Sequence, residues 1–249
     1  MSRPKLAIIG YGDFSKLIIR YLSPYADIVV SSRQADISKD GLEFEVVDIK
    51  TALTQGVIIP SMPAQSLEEF FAANKDLVNP EALIIDVCSV KVKPVETLLK
   101  VLPQTCEILA THPLFGPTSA AKGLTGLKIM LSPTRIKDEK YQEIKQFLSD
   151  ELKLKIIECT PEEHDHAMAY AQGLSHYIAR LMQVMNIPDS ELTTNAYDDL
   201  KDMERIQGSD SWELFQSIMF ENPYALKVNQ EFKQAIKDLD VKLGINGRD

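Results

Sequence analysis

The chain has 249 residues, 45% hydrophobic and 25% charged, with a formal net charge of −9, enough for one large domain or two modest ones with real cores. The acidic balance argues against nucleic-acid and anionic-membrane partners, which need a basic surface, and no apolar run approaches the roughly 20 residues that span a bilayer. The strand pattern beginning by Lys5 leaves no room for a leader peptide, and Cys88, Cys106 and Cys159 have neither metal-ligand nor redox-pair spacing, so a cytoplasmic protein with buried thiols and no metal is expected.

Residues 6–9, 28–30, 57–59, 83–87 and 108–110 are short aliphatic or β-branched runs bounded by Gly, Pro, Asp or Ser, and read as buried strands. Helical stretches lie between them at 14–22, 66–77 and 94–102, a βαβ rhythm that predicts a parallel sheet covered on both faces. Strands at 128–131 and 154–158, flanking an amphipathic helix at 138–148, close this part. From Thr160 the strand signals stop. Thr160, Pro161 and Glu163 supply a cap, a first-turn proline and a capping-box acid, and helical periodicity then runs almost to Lys242, broken near 186–188 and at Gly208. The expected class is α/β: a doubly wound parallel sheet in a dinucleotide-binding domain, residues 1–159, joined without a flexible linker to an all-helical domain, residues 160–249.

The first strand runs into Gly10-Tyr11-Gly12-Asp13-Phe14-Ser15. The first glycine permits a tight turn, the second lets the backbone approach a pyrophosphate, and the following helix N-terminus offers amide donors and positive dipole. Ser15 stands where the smallest residues are usual, which weakens the motif without breaking it. The strand–turn–helix context favours dinucleotide binding over a plain turn and makes the domain Rossmann-type. The second strand ends in Ser31-Ser32-Arg33 instead of the acidic residue that holds NAD ribose hydroxyls; a hydroxyl and a guanidinium suit a 2′-phosphate. NADP is therefore favoured over NAD, with Asp36 as an opposing feature. The cofactor-binding candidates are Gly10, Gly12, Asp13, Phe14, Ser32 and Arg33, together with Ser61, Met62 and Pro63.

Two further motifs sit at strand ends. Asp86-Val87-Cys88-Ser89-Val90-Lys91 opens onto Ser89, and Thr111-His112-Pro113-Leu114-Phe115-Gly116-Pro117 carries His112. Ligands of open α/β sheets lie beyond the carboxyl ends of strands, so Ser89 and His112 are expected side by side. A serine hydroxyl can fix the imidazole tautomer and leave the other nitrogen as a base. His164 and His166 lack a companion ligand set for a metal and are expected to be structural or interfacial. Gln172 and His176 share one helical face. A last polar cluster spans 201–205 and 209–211.

In this order the motifs resemble the prephenate/arogenate dehydrogenase family of tyrosine biosynthesis. Segments 86–91 and 111–117 look most like the compact plant-type arogenate dehydrogenases, and Glu163-His164-Asp165-His166 with Gln172 and His176 is similar to bacterial members. The resemblance implies oxidative decarboxylation of arogenate, prephenate or both with hydride transfer to NADP+, giving tyrosine or 4-hydroxyphenylpyruvate. It makes His112 the base and Ser89 the residue that orients it and contacts the nicotinamide. It places Gln172 and His176 in the substrate pocket, Arg205 on a substrate carboxylate, and Asp210 beside the substrate side chain, where it would favour the ammonium of arogenate. It also implies a homodimer through a helical domain that binds substrate. Two rival readings are another NADP-dependent Rossmann reductase, of imines or β-hydroxy acids, and a non-catalytic NADP(H) sensor. The former place their acid on the helical domain; the latter has no use for Ser89, His112 and Arg205 together.

Overall fold

The computed structural model describes residues 3–34, 37–188 and 190–245, and the chain divides into two compact units, Met1–Pro161 and Glu162–Asp249. The strands of the first unit are β1 (Lys5–Ile9), β2 (Asp27–Ser31), β3 (Glu45–Val46), β4 (Val57–Pro60), β5 (Leu83–Asp86), β6 (Glu107–Pro113), β7 (Lys128–Arg135) and β8 (Lys155–Glu158), and its main helices are α1 (Asp13–Leu22), α2 (Ile49–Leu53), α3 (Leu67–Asn74), α4 (Val92–Val101) and α5 (Asp138–Asp150). Among the described residues the strands form one sheet in the order β3-β2-β1-β4-β5-β6-β7-β8. From β3 to β6 the pairing is parallel, in the 3-2-1-4-5-6 order of dinucleotide-binding sheets.

The aliphatic strands are continuous because both faces are covered. Ile84 and Ile108 pack with Leu67, Phe71 and Leu98 of α3 and α4, whereas their neighbours Leu83 and Leu109 pack with Leu17 of α1 and Tyr141 of α5. The structure departs from the sequence expectation in three ways. First, β7 runs antiparallel to β6, and β8 is parallel to β7. Residues 114–127 hold no helix to carry the chain back across the sheet, so it reverses directly; α5 supplies the crossover that a parallel β8 needs. Second, β3 and the short α2 carry too little pattern to be read, although Asp48 caps α2 by accepting the Thr51 N–H at 2.7 Å. Third, β6 does not stop at Ala110, because its pairing with β7 continues through Thr111, His112 and Pro113.

The second unit is helical: α6 (Pro161–Met168), a π-helical turn (Ala169–Leu174), α7 (Ser175–Met185), α8 (Asn195–Gln207), α9 (Trp212–Phe220) and α10 (Ala225–Leu243). Asn186, in the left-handed region with φ 51°, ends α7. Ser211 caps α9 by accepting the Leu214 N–H at 3.1 Å. Among the described residues no helix is long and apolar enough to cross a membrane.

Candidate active site

The carboxyl ends of β1, β4, β5 and β6 form a continuous line of bonded turns. At the end of β1, the Gly10 N–H donates to the Ser31 carbonyl and the Ser61 N–H donates to the Ile9 carbonyl, both at 2.8 Å. Gly10 has φ +105°, and a Cβ there would lie 2.3 Å from the Ser61 carbonyl oxygen, so both the turn and the approach of the β4 end require glycine. Around Gly12 the opposite holds: an added Cβ would meet nothing within 4 Å. That open side, at the α1 N-terminus, fits an incoming anion.

Ser15 is fully buried; its hydroxyl donates to Ser61 Oγ at 2.8 Å and accepts the Gly12 N–H at 3.4 Å. It therefore ties α1 to the β4 end in place of close glycine packing. Asp13 is exposed and Phe14 half-buried; after β2, Ser32 is half-buried and Arg33 exposed. Asp36 lies outside the described residues. Gln34 closes this loop over the glycine turn, its side-chain amide donating to the Tyr11 carbonyl at 3.2 Å. Lys16 pairs with Asp40 at 3.1 Å; the Ser38 hydroxyl, then Lys16, hold the Asp40 carboxyl below the usual range.

The β4 and β5 ends are joined through Cys88, whose thiol lies 3.9 Å from the Met62 carbonyl. Burial pushes this thiol up, which keeps it protonated and able to donate. Beyond β5, Asp86 and Lys91 are both fully buried and form an ion pair. Asp86 Oδ1 accepts the Cys88 N–H at 2.9 Å, Lys91 Nζ donates to the Thr111 carbonyl at 2.6 Å, and the Thr111 hydroxyl donates to the Asp86 carbonyl at 2.7 Å. His112 is only 5% exposed and lies inside β6 opposite Met130. Ser89 is half-buried at the adjacent strand end. The Asp86–Lys91–Thr111 network joins the two strand ends that carry Ser89 and His112.

In the second unit the π-helical turn brings Gln172, His176 and Asp210 together. Nδ1 of the buried His176 lies 2.9 Å from the Gln172 carbonyl, and Nε2 lies 2.9 Å from Asp210 Oδ2. Gln172 Oε1 is buried without a hydrogen-bond partner among the described residues, an acceptor free for a ligand. Arg180 joins the same cluster: it donates to the Asp210 carbonyl and to Gln183 Oε1 at 3.1 Å, and its guanidinium lies 5.7 Å from each of the Trp212 and Phe215 rings. At Gly208 the chain leaves α8 toward this cluster, and the Gly208 carbonyl accepts from Gln183 Nε2 at 3.0 Å. Arg205 stays outside, exposed on α8 and paired with Asp202 at 3.0 Å; the pair uses Nε and Nη2. His164 Nδ1 lies 2.8 Å from Asp165 Oδ1 with both residues buried, and the His166 ring packs on Tyr224. Among the described residues no group of three or more His, Cys, Asp or Glu could hold a metal ion.

Residues 26–158 match the nucleotide-binding domain of prephenate dehydrogenase, and residues 160–248 match its dimerization domain. The chain belongs to the prephenate dehydrogenase family. It is 29% identical to arogenate dehydrogenase 2, chloroplastic, of Arabidopsis thaliana, over 96% of this chain and 70% of the relative. With arogenate dehydrogenase 1, chloroplastic, of the same plant it shares 25% identity over 97% of this chain but 39% of that longer protein. It shares the fold of A. aeolicus prephenate dehydrogenase, solved with hydroxyphenyl propionate and NAD+, with a TM-score of 0.71 at 20% identity, covering 99% of this chain and 93% of that one. The glycine turn precedes the matched segments and stands on its own geometry.

Within this prephenate dehydrogenase fold, sequence reasoning missed Arg180 and the bonding role of Lys91. Arg180 lies four residues after His176, so helical spacing was an available signal. Nothing local marks Lys91 as the partner of Thr111, which is 20 residues away.

Proposed function

We propose that this chain catalyses the oxidative decarboxylation of arogenate, prephenate or both with NADP+ as the preferred oxidant, giving tyrosine or 4-hydroxyphenylpyruvate. The observation that carries this reading is a buried imidazole, His112, held in the strand next to Ser89, in a chain that matches both domains of the family. Gly10, Gly12, Asp13 and Phe14, with Ser61, Met62 and Pro63, would hold the dinucleotide; Ser32 and Arg33 would meet the 2′-phosphate that distinguishes NADP. The bound nicotinamide supplies the acceptor for a hydride.

His112 removes the ring-hydroxyl proton as the hydride leaves the carbon bearing that hydroxyl. The carbon–carboxylate bond then breaks, carbon dioxide departs, and its electron pair passes through the ring to the new carbonyl oxygen, which takes the proton back from His112; the aromatic ring so formed makes the sequence irreversible. Ser89 orients the imidazole from the neighbouring strand end. In the helical unit, the unpartnered Gln172 amide oxygen and His176 contact the substrate. Arg205, with its Nη1 edge outside the Asp202 pair, takes a carboxylate. Asp210 lies beside His176 and favours the ammonium of arogenate over the keto group of prephenate.

Homodimerisation through the helical unit is part of this proposal, supported by the exposed apolar residues Val184, Met185 and Phe220 and by the description of the matched domain. So is a cytoplasmic location, supported by three unbridged cysteines.

The test is to supply each substrate with each oxidised cofactor and to follow the absorbance of reduced nicotinamide. Turnover of at least one substrate, faster with NADP+, is expected. A protein that binds NADP+ but converts neither substrate would leave the sensor reading in its place.

A further inference from the structure

β6 outruns β5 on the side where the chemistry is expected. Asp86, the last residue of β5, pairs with Ala110, so Thr111, His112 and Pro113 keep β7 on one edge but have no β5 residue opposite them on the other. The Thr111 carbonyl belongs to the peptide plane that leads into His112. Where a longer β5 would present a backbone donor, the structure presents the ammonium of Lys91 at 2.6 Å. The same ammonium is paired to Asp86, whose Oδ1 holds the Cys88 N–H at 2.9 Å, one residue before Ser89. The Thr111 hydroxyl closes the ring on the Asp86 carbonyl at 2.7 Å. One buried pair thus holds the peptide group that leads into His112 and, on the neighbouring strand end, the amide of the residue before Ser89.

Stability alone is a weak reason for such a pair. Two charges taken out of water lose hydration that their attraction only partly restores, and replacing a buried pair by apolar groups of like volume is often neutral or stabilising. Its position, bridging two strand ends instead of crossing the middle of the core, gives it a different use.

We propose that Asp86 and Lys91 are a positioning pair that fixes the backbone carrying Ser89 and His112, so that the imidazole is already oriented in the free protein. Its catalytic consequence rests on the function proposed above; the orientation itself does not.

The test uses the full chain with Asp86→Asn and Lys91→Met together, which removes both charges, keeps the side-chain volumes close and leaves no unpaired buried ion. The readouts are the melting temperature, the His112 imidazole resonances in histidine-labelled protein (assigned with His112→Gln), and kcat and KM at saturating NADP+. Expected are melting within a few degrees of the parent, displaced or broadened His112 resonances, and a kcat lower by about 10- to 100-fold, the scale of a misplacement of up to about 1 Å, with KM within about twofold. Unmoved His112 resonances, or a kcat within about twofold of the parent, would overturn the proposal. If the double variant does not fold, Thr111→Val, which deletes only the hydroxyl bond to Asp86, decides on the same two readouts with the same two outcomes. Failure of the parent to turn over either substrate would instead remove the proposed reaction, while the resonances still report on positioning.

Discussion

The two glycines of the β1–α1 turn serve different purposes, and alanine separates them. A methyl on Gly10 would sit 2.3 Å from the Ser61 carbonyl oxygen at a φ of +105°. The positive φ costs roughly 1–2 kcal/mol in an L-residue, and an overlap that moves backbone typically costs about 1–3 kcal/mol. Together these are about 2–5 kcal/mol against a domain stability of about 5–15 kcal/mol, which lowers the melting temperature by about 5–20 °C for a unit of this size. Relief requires Ser61 to retreat, which strains its bonds to Ile9 and Ser15 and carries part of the proposed cofactor site with it. At Gly12 φ is −103° and the added methyl meets nothing, so Gly12→Ala should cost about 1 kcal/mol or less as a helix-cap change. The same methyl would project where the pyrophosphate must approach; a penalty of about 1–3 kcal/mol there weakens the dissociation constant about 5- to 150-fold. The assay is thermal unfolding of both variants alongside calorimetric titration with NADP+. Gly12→Ala with undiminished affinity would refute the phosphate cradle, and Gly10→Ala with an unaltered melting temperature would refute the close-approach argument.

Four further outcomes are expected. His112→Ala should lower kcat by roughly 10²–10⁴-fold, as for a lost general base, with NADP+ affinity little changed; an unaltered rate removes it from the mechanism. Arg33→Ala should weaken NADP+ binding and spare NAD+ in parallel titrations, and equal effects on the two would refute the 2′-phosphate assignment. Asp210→Asn should shift the ratio of kcat/KM values toward prephenate, and no shift would retire Asp210 as the selector. Tyr141 tests the electrostatics of the first unit: burial, then the adjacent Glu158 carboxylate, raises its phenol above the ordinary value of 10. The folded state thus keeps this proton longer than the unfolded chain does, so its contribution is complete below about pH 10 and is lost as pH rises toward the folded value. Tyr141→Phe should flatten the alkaline fall in melting temperature, and an unchanged fall would assign it to other groups.

Much of this organisation is local and was legible in the residues. Period, β-branching and turn chemistry mark β1, β2, β4, β5 and β6, because each buries an aliphatic run that no loop would carry. The glycine turn is readable for the same kind of reason: its conformational demand falls on one residue, Gly10. The order of the motifs also placed the chain in its family. Harder to read were features set by partners distant in sequence. The direction of β7 depends on whether the chain crosses the sheet between two strands, and β3 is too short to show a period.

The site divides along the same line. That a histidine and a serine sit at neighbouring strand ends follows from residue order once the sheet is granted. Tertiary structure alone decided that β6 runs on through His112, because its pairing with β7 continues past the end of β5. It alone decided that Lys91 bonds the Thr111 carbonyl, and that Ser15 reaches Ser61 instead of merely substituting for a small residue. In the helical unit, the π-helical turn and the return of the chain at Gly208 put Asp210 on His176 while Arg205 stays with Asp202. Side-chain type and spacing determine what chemistry is on hand; which groups meet depends on where strands end and helices turn, and those ends are set by contacts across the fold.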